Sequence, residues 1–202
     1  MNSDRTCTAT FNLSCSATFG DVPSGYWAKS FIDNLYCAGV TSGCTTTTPP
    51  NYCPEASVTR AQMAVFIITS MVKAGLLPSD FTYPATPYFT DVPKTHWAFK
   101  FIQKMKELGI TGGCTQTTYC PDNPVTRAEM AVFIIRAKYG SSFSYSTTPY
   151  FTDVLSTHWA FKFIQKMKET GITGGCTAST YCPDSTVTRA QMAVFLTKGF
   201  LE

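Results

Sequence analysis

The sequence predicts a mainly all-α protein of three helix-loop-helix repeats around a shared core, with disulfide-stapled loops. Three observations point there. A long segment recurs at fixed spacing, each copy carries two apolar stripes of helical period, and the same helix start and stop residues return in every copy. Tyr88 to Phe133 reappears as Tyr150 to Phe195, 62 residues later. Phe89-Thr90-Asp91-Val92 becomes Phe151-Thr152-Asp153-Val154, and the run His96 to Glu107 becomes His158 to Glu169. A more divergent first copy opens with Phe19-Gly20-Asp21-Val22 and carries Trp27-Ala28. It stands 70 residues ahead of the second copy up to Cys44 and 67 ahead from Cys53 onward, so one of its loops is three residues longer.

The first helix of copy two is read from Ala98, Phe101, Ile102, Met105 and Leu108, which fall at i, i+3, i+4, i+7 and i+10, one buried stripe. Pro93 and Thr95 are its start signals. Gly109, matched by Gly39 and Gly171, is a left-handed stop, which gives an element of about 12 residues. The second helix opens at Thr126-Arg127-Ala128-Glu129, a capping box in which Thr126 accepts the Glu129 amide and the Glu129 side chain reaches back. Gln62 and Gln191 are placed to return the same bond in copies one and three. Met130, Phe133, Ile134 and Ala137 form the face behind it, mirrored by Met63, Phe66 and Ile67 and by Met192, Phe195 and Leu196.

One such hairpin cannot bury two stripes alone, so three must share a core, and pseudo-threefold packing is the natural solution. Linkers rich in Pro, Thr and Tyr, Phe81 to Tyr88 and Ser141 to Tyr150, carry the chain between units. The expected organisation is an N-terminal segment at 1–18 and repeats at 19–80, 81–140 and 141–202, the last two including their linkers.

Of the 202 residues 44% are hydrophobic, enough for a core, whereas only 14% are charged and the net charge is +3. No basic stripe of the kind nucleic acid demands is present, so nucleic acid is not an expected partner. No run approaches the roughly 20 apolar residues of a transmembrane helix, and the chain is expected to be soluble. Its start, Met1-Asn2-Ser3-Asp4-Arg5, lacks the apolar stretch of a secretory leader, so either a leader has been removed or the chain is cut from something longer.

Each copy sets two cysteines between its helices: Cys44 and Cys53, Cys114 and Cys120, Cys176 and Cys182. The intervening Thr115-Gln116-Thr117-Thr118-Tyr119 is turn-forming and holds no His or carboxylate. A disulfide across each loop therefore fits better than a metal site, and zinc would need two repeats to converge. Closing a loop of about seven residues removes denatured-state entropy worth roughly 2 kcal/mol per bridge. Such bridges imply an oxidising space, periplasm or cell exterior. Nine cysteines leave Cys7, Cys15 and Cys37 outside the pattern, one of them unpaired within the chain. A bond from Cys37 to Cys7 or Cys15 would staple the N-terminal segment onto copy one. The remaining thiol is inert, belongs to a pair split by the chain boundary, or links subunits into a homo-oligomer.

Phe-x-Asp-Val, Trp-Ala, Gly-Ile-Thr-Gly, a Pro-bearing turn and Thr-Arg-Ala-Glu, in this order three times from Phe19 to about Phe200, resemble the S-layer homology family. The resemblance implies a three-pronged spindle around a central helical bundle that binds cell-wall polysaccharide, often pyruvylated, in grooves between prongs. It implies ligand contacts at Arg60, Arg127 and Arg189, and places Asp21, Asp91 and Asp153 with Trp27, Trp97 and Trp159 near the same grooves. The residues support the arginines independently, because a cation in a helix's first turn opposes the helix dipole and yet recurs in every copy. A carboxylate there would meet a guanidinium fork and unpaired helix-start amides. The competing reading pairs each arginine with the adjacent Glu or a repeat-boundary Asp. A tryptophan heading a buried stripe is first a core candidate and second a sugar platform. The aspartates are also suited to hold amides at the turn into the first helix. Family members usually lack the loop cysteines, which leaves the identity of the envelope glycan open.

The expected function is non-covalent anchoring to the bacterial cell envelope by glycan binding. The alternative is a self-assembling subunit of a surface layer or filament. No cofactor motif appears, and only His96 and His158 are available as histidines, without a Ser-His-Asp arrangement, so an enzyme is not expected.

Overall fold

The computed structural model describes residues 15–202. Its elements are α1 (Lys29–Cys37), α2 (Arg60–Lys73), α3 (Phe99–Glu107), α4 (Arg127–Tyr139), α5 (Phe161–Glu169) and α6 (Arg189–Leu196), followed by a π-helical turn at Thr197–Leu201. Among the described residues there is no strand, only three isolated bridges.

The first helices are shorter than their periodicity suggests, 9 residues each. The residues ahead of them are consumed by turns: His96 N–H donates to the Pro93 carbonyl, Phe99 N–H to the His96 carbonyl, and Ala98 N–H to His96 Nδ1. Pro93 and Thr95 thus start that turn, not the helix. Leu108 is exposed at the helix C-cap and leaves the buried stripe, which is why Thr170 serves equally at the matching position. The stops behave as expected, with Gly39, Gly109 and Gly171 at φ of 70°, 69° and 72°, a region closed to most side chains. Capping boxes form at Thr59 with Gln62 and at Thr126 with Glu129. At α6, Thr188 accepts the Gln191 amide but the return bond from Gln191 is not made, so the predicted third box is only half formed.

Packing crosses repeat boundaries in a ring. The second helix of each repeat lies against the first helix of the next, α2 on α3, α4 on α5, and α6 back onto α1, while α2, α4 and α6 meet at the centre. Three valines just ahead of the central helices close this ring by backbone bonds: Val58 N–H to Val187 O, Val187 to Val125, and Val125 to Val58, at 2.9–3.0 Å. Ile67, Met130, Ile134, Met192 and Leu196, all fully buried, lie on the central helices.

The linkers are strapped along the first helices. Gln103, fully buried on α3, donates Nε2 to the carbonyls of Pro84 and Thr86 and accepts the Tyr88 amide, at 2.7–3.0 Å. Gln165 does the same for Ser146, Thr148 and Tyr150. In repeat 1 the matching residue is Asp33, bound instead to Lys29, and the chain ahead of α1 is held by a Cys15–Cys37 disulfide. The loop disulfides Cys44–Cys53, Cys114–Cys120 and Cys176–Cys182 are all formed. Cys7 lies outside the described residues.

Candidate functional site

Each repeat boundary is built on one reciprocal clasp. The tyrosine before the second loop cysteine is buried and donates its hydroxyl to the carbonyl of an arginine in the preceding repeat, while that arginine's Nε donates to the tyrosine carbonyl. The pairs are Arg60 with Tyr119, Arg127 with Tyr181, and, closing the circle, Arg189 with Tyr52. All six bonds are 2.6–2.9 Å. Each guanidinium lies 4.7–4.9 Å over its tyrosine ring and 5.4–5.5 Å from a phenylalanine of the same neighbouring repeat, Phe133, Phe195 or Phe66. The arginines are thus 3–5% exposed. Burial pushes Tyr52, Tyr119 and Tyr181 above the ordinary tyrosine range, with the arginine pulling back part of the way. Burial likewise lowers Arg127 and Arg189 from the usual arginine value.

Two expectations about the arginine helix starts are corrected here. The helix-start amides are not unpaired: Arg60 and Ala61 donate to Asn123 and Pro121, Arg127 and Ala128 to Ser185 and Pro183, Arg189 and Ala190 to Ala56 and Pro54. The neighbouring repeat's loop occupies the place an anion would take at the helix end. Nor does any arginine pair with an adjacent Glu or a boundary Asp. Arg60 instead bridges to Glu129 of the next repeat, Nη1 to Oε1 at 2.5 Å.

Asp21, Asp91 and Asp153 each accept two consecutive loop amides, those of Tyr52 and Cys53, Tyr119 and Cys120, Tyr181 and Cys182, at 2.7–2.8 Å. Their partners lie in the loop between the helices, not in the turn into the first helix. The second cysteine of each loop has φ of 55–58°, a strained region for a side-chain residue, and the aspartate together with the disulfide holds it there.

The tryptophans are not core. Trp27, Trp97 and Trp159 are 59%, 61% and 62% exposed; Trp97 and Trp159 stack on the preceding His96 and His158, and Trp27 lies tilted against Tyr26. Trp159 overhangs a groove of about 430 Å³ that brings Arg60 of repeat 1 to Glu129, Phe133, Arg136 and the Thr111–Cys114 loop of repeat 2. Trp27 overhangs one of about 240 Å³ joining Arg127 of repeat 2 to Gln191, Phe195, Lys198 and the Ile172–Cys176 loop of repeat 3. Each groove therefore draws on all three repeats. Its floor is pinned by glycine: a Cβ on Gly113 would lie 2.6 Å from Phe89. The aspartates, Trp97 and Arg189 line neither groove; Arg189 sits at the third boundary, bonded to Tyr52 and Gly43 of repeat 1.

Tyr52, Tyr119, Tyr181, Gln103 and Gln165 were not singled out from the sequence. A signal for the tyrosines existed, since Tyr-Cys-Pro stands at 52–54, 119–121 and 181–183 in every copy.

A closed ring of three helical repeats, with aromatic-roofed, arginine-based grooves at its boundaries, defines a disulfide-stapled binding module. The S-layer homology domain profile matches residues 18–64, 88–131 and 150–193, and the chain belongs to that family. It is 30% identical over 180 residues to the S-layer protein EA1 of Bacillus anthracis, covering 89% of this chain and 20% of that protein. It is 35% identical over 113 residues to an endoglucanase of Bacillus sp. (strain KSM-635), covering 55% and 12%. It is 27% identical over 151 residues to a cellulosome-anchoring protein of Acetivibrio thermocellus, covering 72% and 32%. The chain thus spans about a third or less of each of these relatives. Among the described residues no helix is long and apolar enough to cross a membrane.

Proposed function

We propose that the chain is an extracytoplasmic cell-surface module that anchors a protein to the bacterial envelope by binding envelope polysaccharide in its inter-repeat grooves. The observation that carries this reading is an exposed tryptophan poised over a buried arginine at a repeat boundary, seen twice. Sugar rings stack on exposed indoles, and the guanidinium suits an acidic substituent such as a pyruvate ketal. Two grooves on one polymer give avidity without tight single-site binding. The relatives' names fit, since a surface-layer protein and a cellulosome-anchoring protein carry this module beside otherwise different chains. The module itself is a binder. Catalysis in a parent protein, as the endoglucanase relative illustrates, would reside in other segments.

The arginines hold the repeats together, so their removal confounds binding with folding. The tryptophans separate the two. Trp27→Ala with Trp159→Ala is expected to reduce co-sedimentation with envelope sacculi at least ten-fold while thermal unfolding stays where it was. Unchanged co-sedimentation of the folded double variant overturns the reading.

A further inference from the structure

The residue ahead of each exposed tryptophan differs between repeats. His96 precedes Trp97 and His158 precedes Trp159, whereas Tyr26 precedes Trp27. In repeats 2 and 3 the imidazole does two things at once. Its face stacks on the indole, with ring centroids 5.7 Å apart and planes 26° and 29° from parallel. Its Nδ1 accepts the amide of the buried residue after the tryptophan, Ala98 or Ala160, at 3.1 Å. Among the described residues that amide has no other acceptor. An accepting ring nitrogen carries no proton, so the bond holds the neutral imidazole with its hydrogen on Nε2. Repeat 1 fixes its ring from the other end: Tyr26 lies tilted against Trp27 and donates its hydroxyl to Glu55 Oε1 at 2.5 Å.

Both nitrogens of an imidazolium carry hydrogen, so once the second proton is on, no rotation of the ring offers the amide an acceptor. A buried N–H is then left unpaired at the start of α5, where a cation also opposes the helix dipole. Cation–π attraction to an exposed indole is smaller than these two costs together. The surrounding charges are already committed. Across the groove Trp159 meets Arg60, Arg136 and Glu129, the last bound to Arg60. On the histidine's own segment, Asp153 holds the Tyr181 and Cys182 amides and Lys162 is tied to the Ser141 carbonyl. Asp184 stands at the loop position of Glu55, and among the described residues no ion pair reaches His96 or His158. We infer that His158 is a positioning residue: neutral, it holds the Trp159 indole over the Arg60 groove, and acid releases it. Trp27, backed by a tyrosine, keeps its place over the Arg127 groove. This rests on the envelope-glycan reading above and makes one of the two grooves pH-sensitive.

Indole N–H resonances of the oxidised, ligand-free protein read the release directly between pH 8 and pH 5, the interval in which histidine takes up a proton. Those of Trp97 and Trp159 are expected to move and that of Trp27 to stay. His158→Tyr, which imports the arrangement of repeat 1, is expected to still Trp159 alone. Binding reads the consequence. Solubilised envelope glycan is titrated calorimetrically into Trp27→Ala, which keeps the Trp159 groove, and into Trp159→Ala, which keeps the other. From pH 8 to pH 5 the first is expected to lose about five-fold in affinity, the size of one broken hydrogen bond, and the second to hold. Adding His158→Tyr to Trp27→Ala is expected to keep the pH 8 affinity and remove the loss. Equal loss in both single variants, or a loss that survives His158→Tyr, overturns the positioning role. A Trp159 resonance that stays fixed overturns it too, and anchoring stands wherever glycan still binds. Moving resonances in a parent chain that binds no glycan at either pH support the positioning and overturn the anchoring reading.

Discussion

The hub of the molecule and its rim are built under different rules. At the hub the same solution appears three times: an Arg–Tyr clasp, an Asp clamp on the loop and a valine in the closing ring. At the rim the same problem is solved differently from repeat to repeat. Gln103 and Gln165 strap their linkers by hydrogen bonds, whereas repeat 1 uses the Cys15–Cys37 disulfide, and the groove acid Glu129 is replaced by Gln191. At the axis each valine is bonded to both of the others, so every residue there serves two boundaries at once. The rim is free to diverge, and chemical specificity collects there.

This contrast can be broken most directly at the hub. Tyr119→Ala removes a fully buried ring, a hydroxyl donor and the face beneath Arg60, and is expected to cost about 3–5 kcal/mol in urea denaturation. If it costs no more than a rim substitution, the distinction fails.

Alkali probes the same tyrosines together. Their folded pKa values are raised, so the stability they contribute is fully present below about pH 10, where unfolded tyrosine begins to ionise, and is lost as pH climbs above it. Each should add a slope of about 1.4 kcal/mol per pH unit in that window. Tyr119→Phe, which cannot ionise, should flatten the curve, as read by denaturation midpoints at pH 9 to 11.

At the rim, Cys15→Ser with Cys37→Ser opens a separation of 22 residues and should cost about 3 kcal/mol by chain entropy, without altering the grooves. Gln103→Leu leaves the Pro84 and Thr86 carbonyls and the Tyr88 amide unmatched, for about 2 kcal/mol, with hydrogen exchange rising in linker 81–88 alone. Protection lost throughout the hub would show the strap to be part of the core.

Helix number, second-helix starts, glycine stops and loop disulfides were legible because each depends on neighbours a few residues away. The shorter first helices were not, because Ala98 and Phe99 continue the apolar pattern across a turn that only His96 Nδ1 and Pro93 reveal. Closure of α6 onto α1 depends on contacts more than 150 residues apart in sequence and leaves no local mark. The arginines were visible, but their amide partners were not, because those partners come from another repeat. Exposure of the tryptophans was hidden for a related reason: each sits one residue before the buried Ala28, Ala98 or Ala160, and a stripe does not announce where it begins.

The valine ring gives the molecule a mechanical property. A linear stack can shed its terminal unit by breaking a single interface. Here Val187 is bonded to Val125 and receives Val58, so the last unit is fastened to the first as firmly as to its predecessor. Tension that tries to peel either end away must rupture two junctions at once. Such a tether is expected to hold its full load until it gives way in one step.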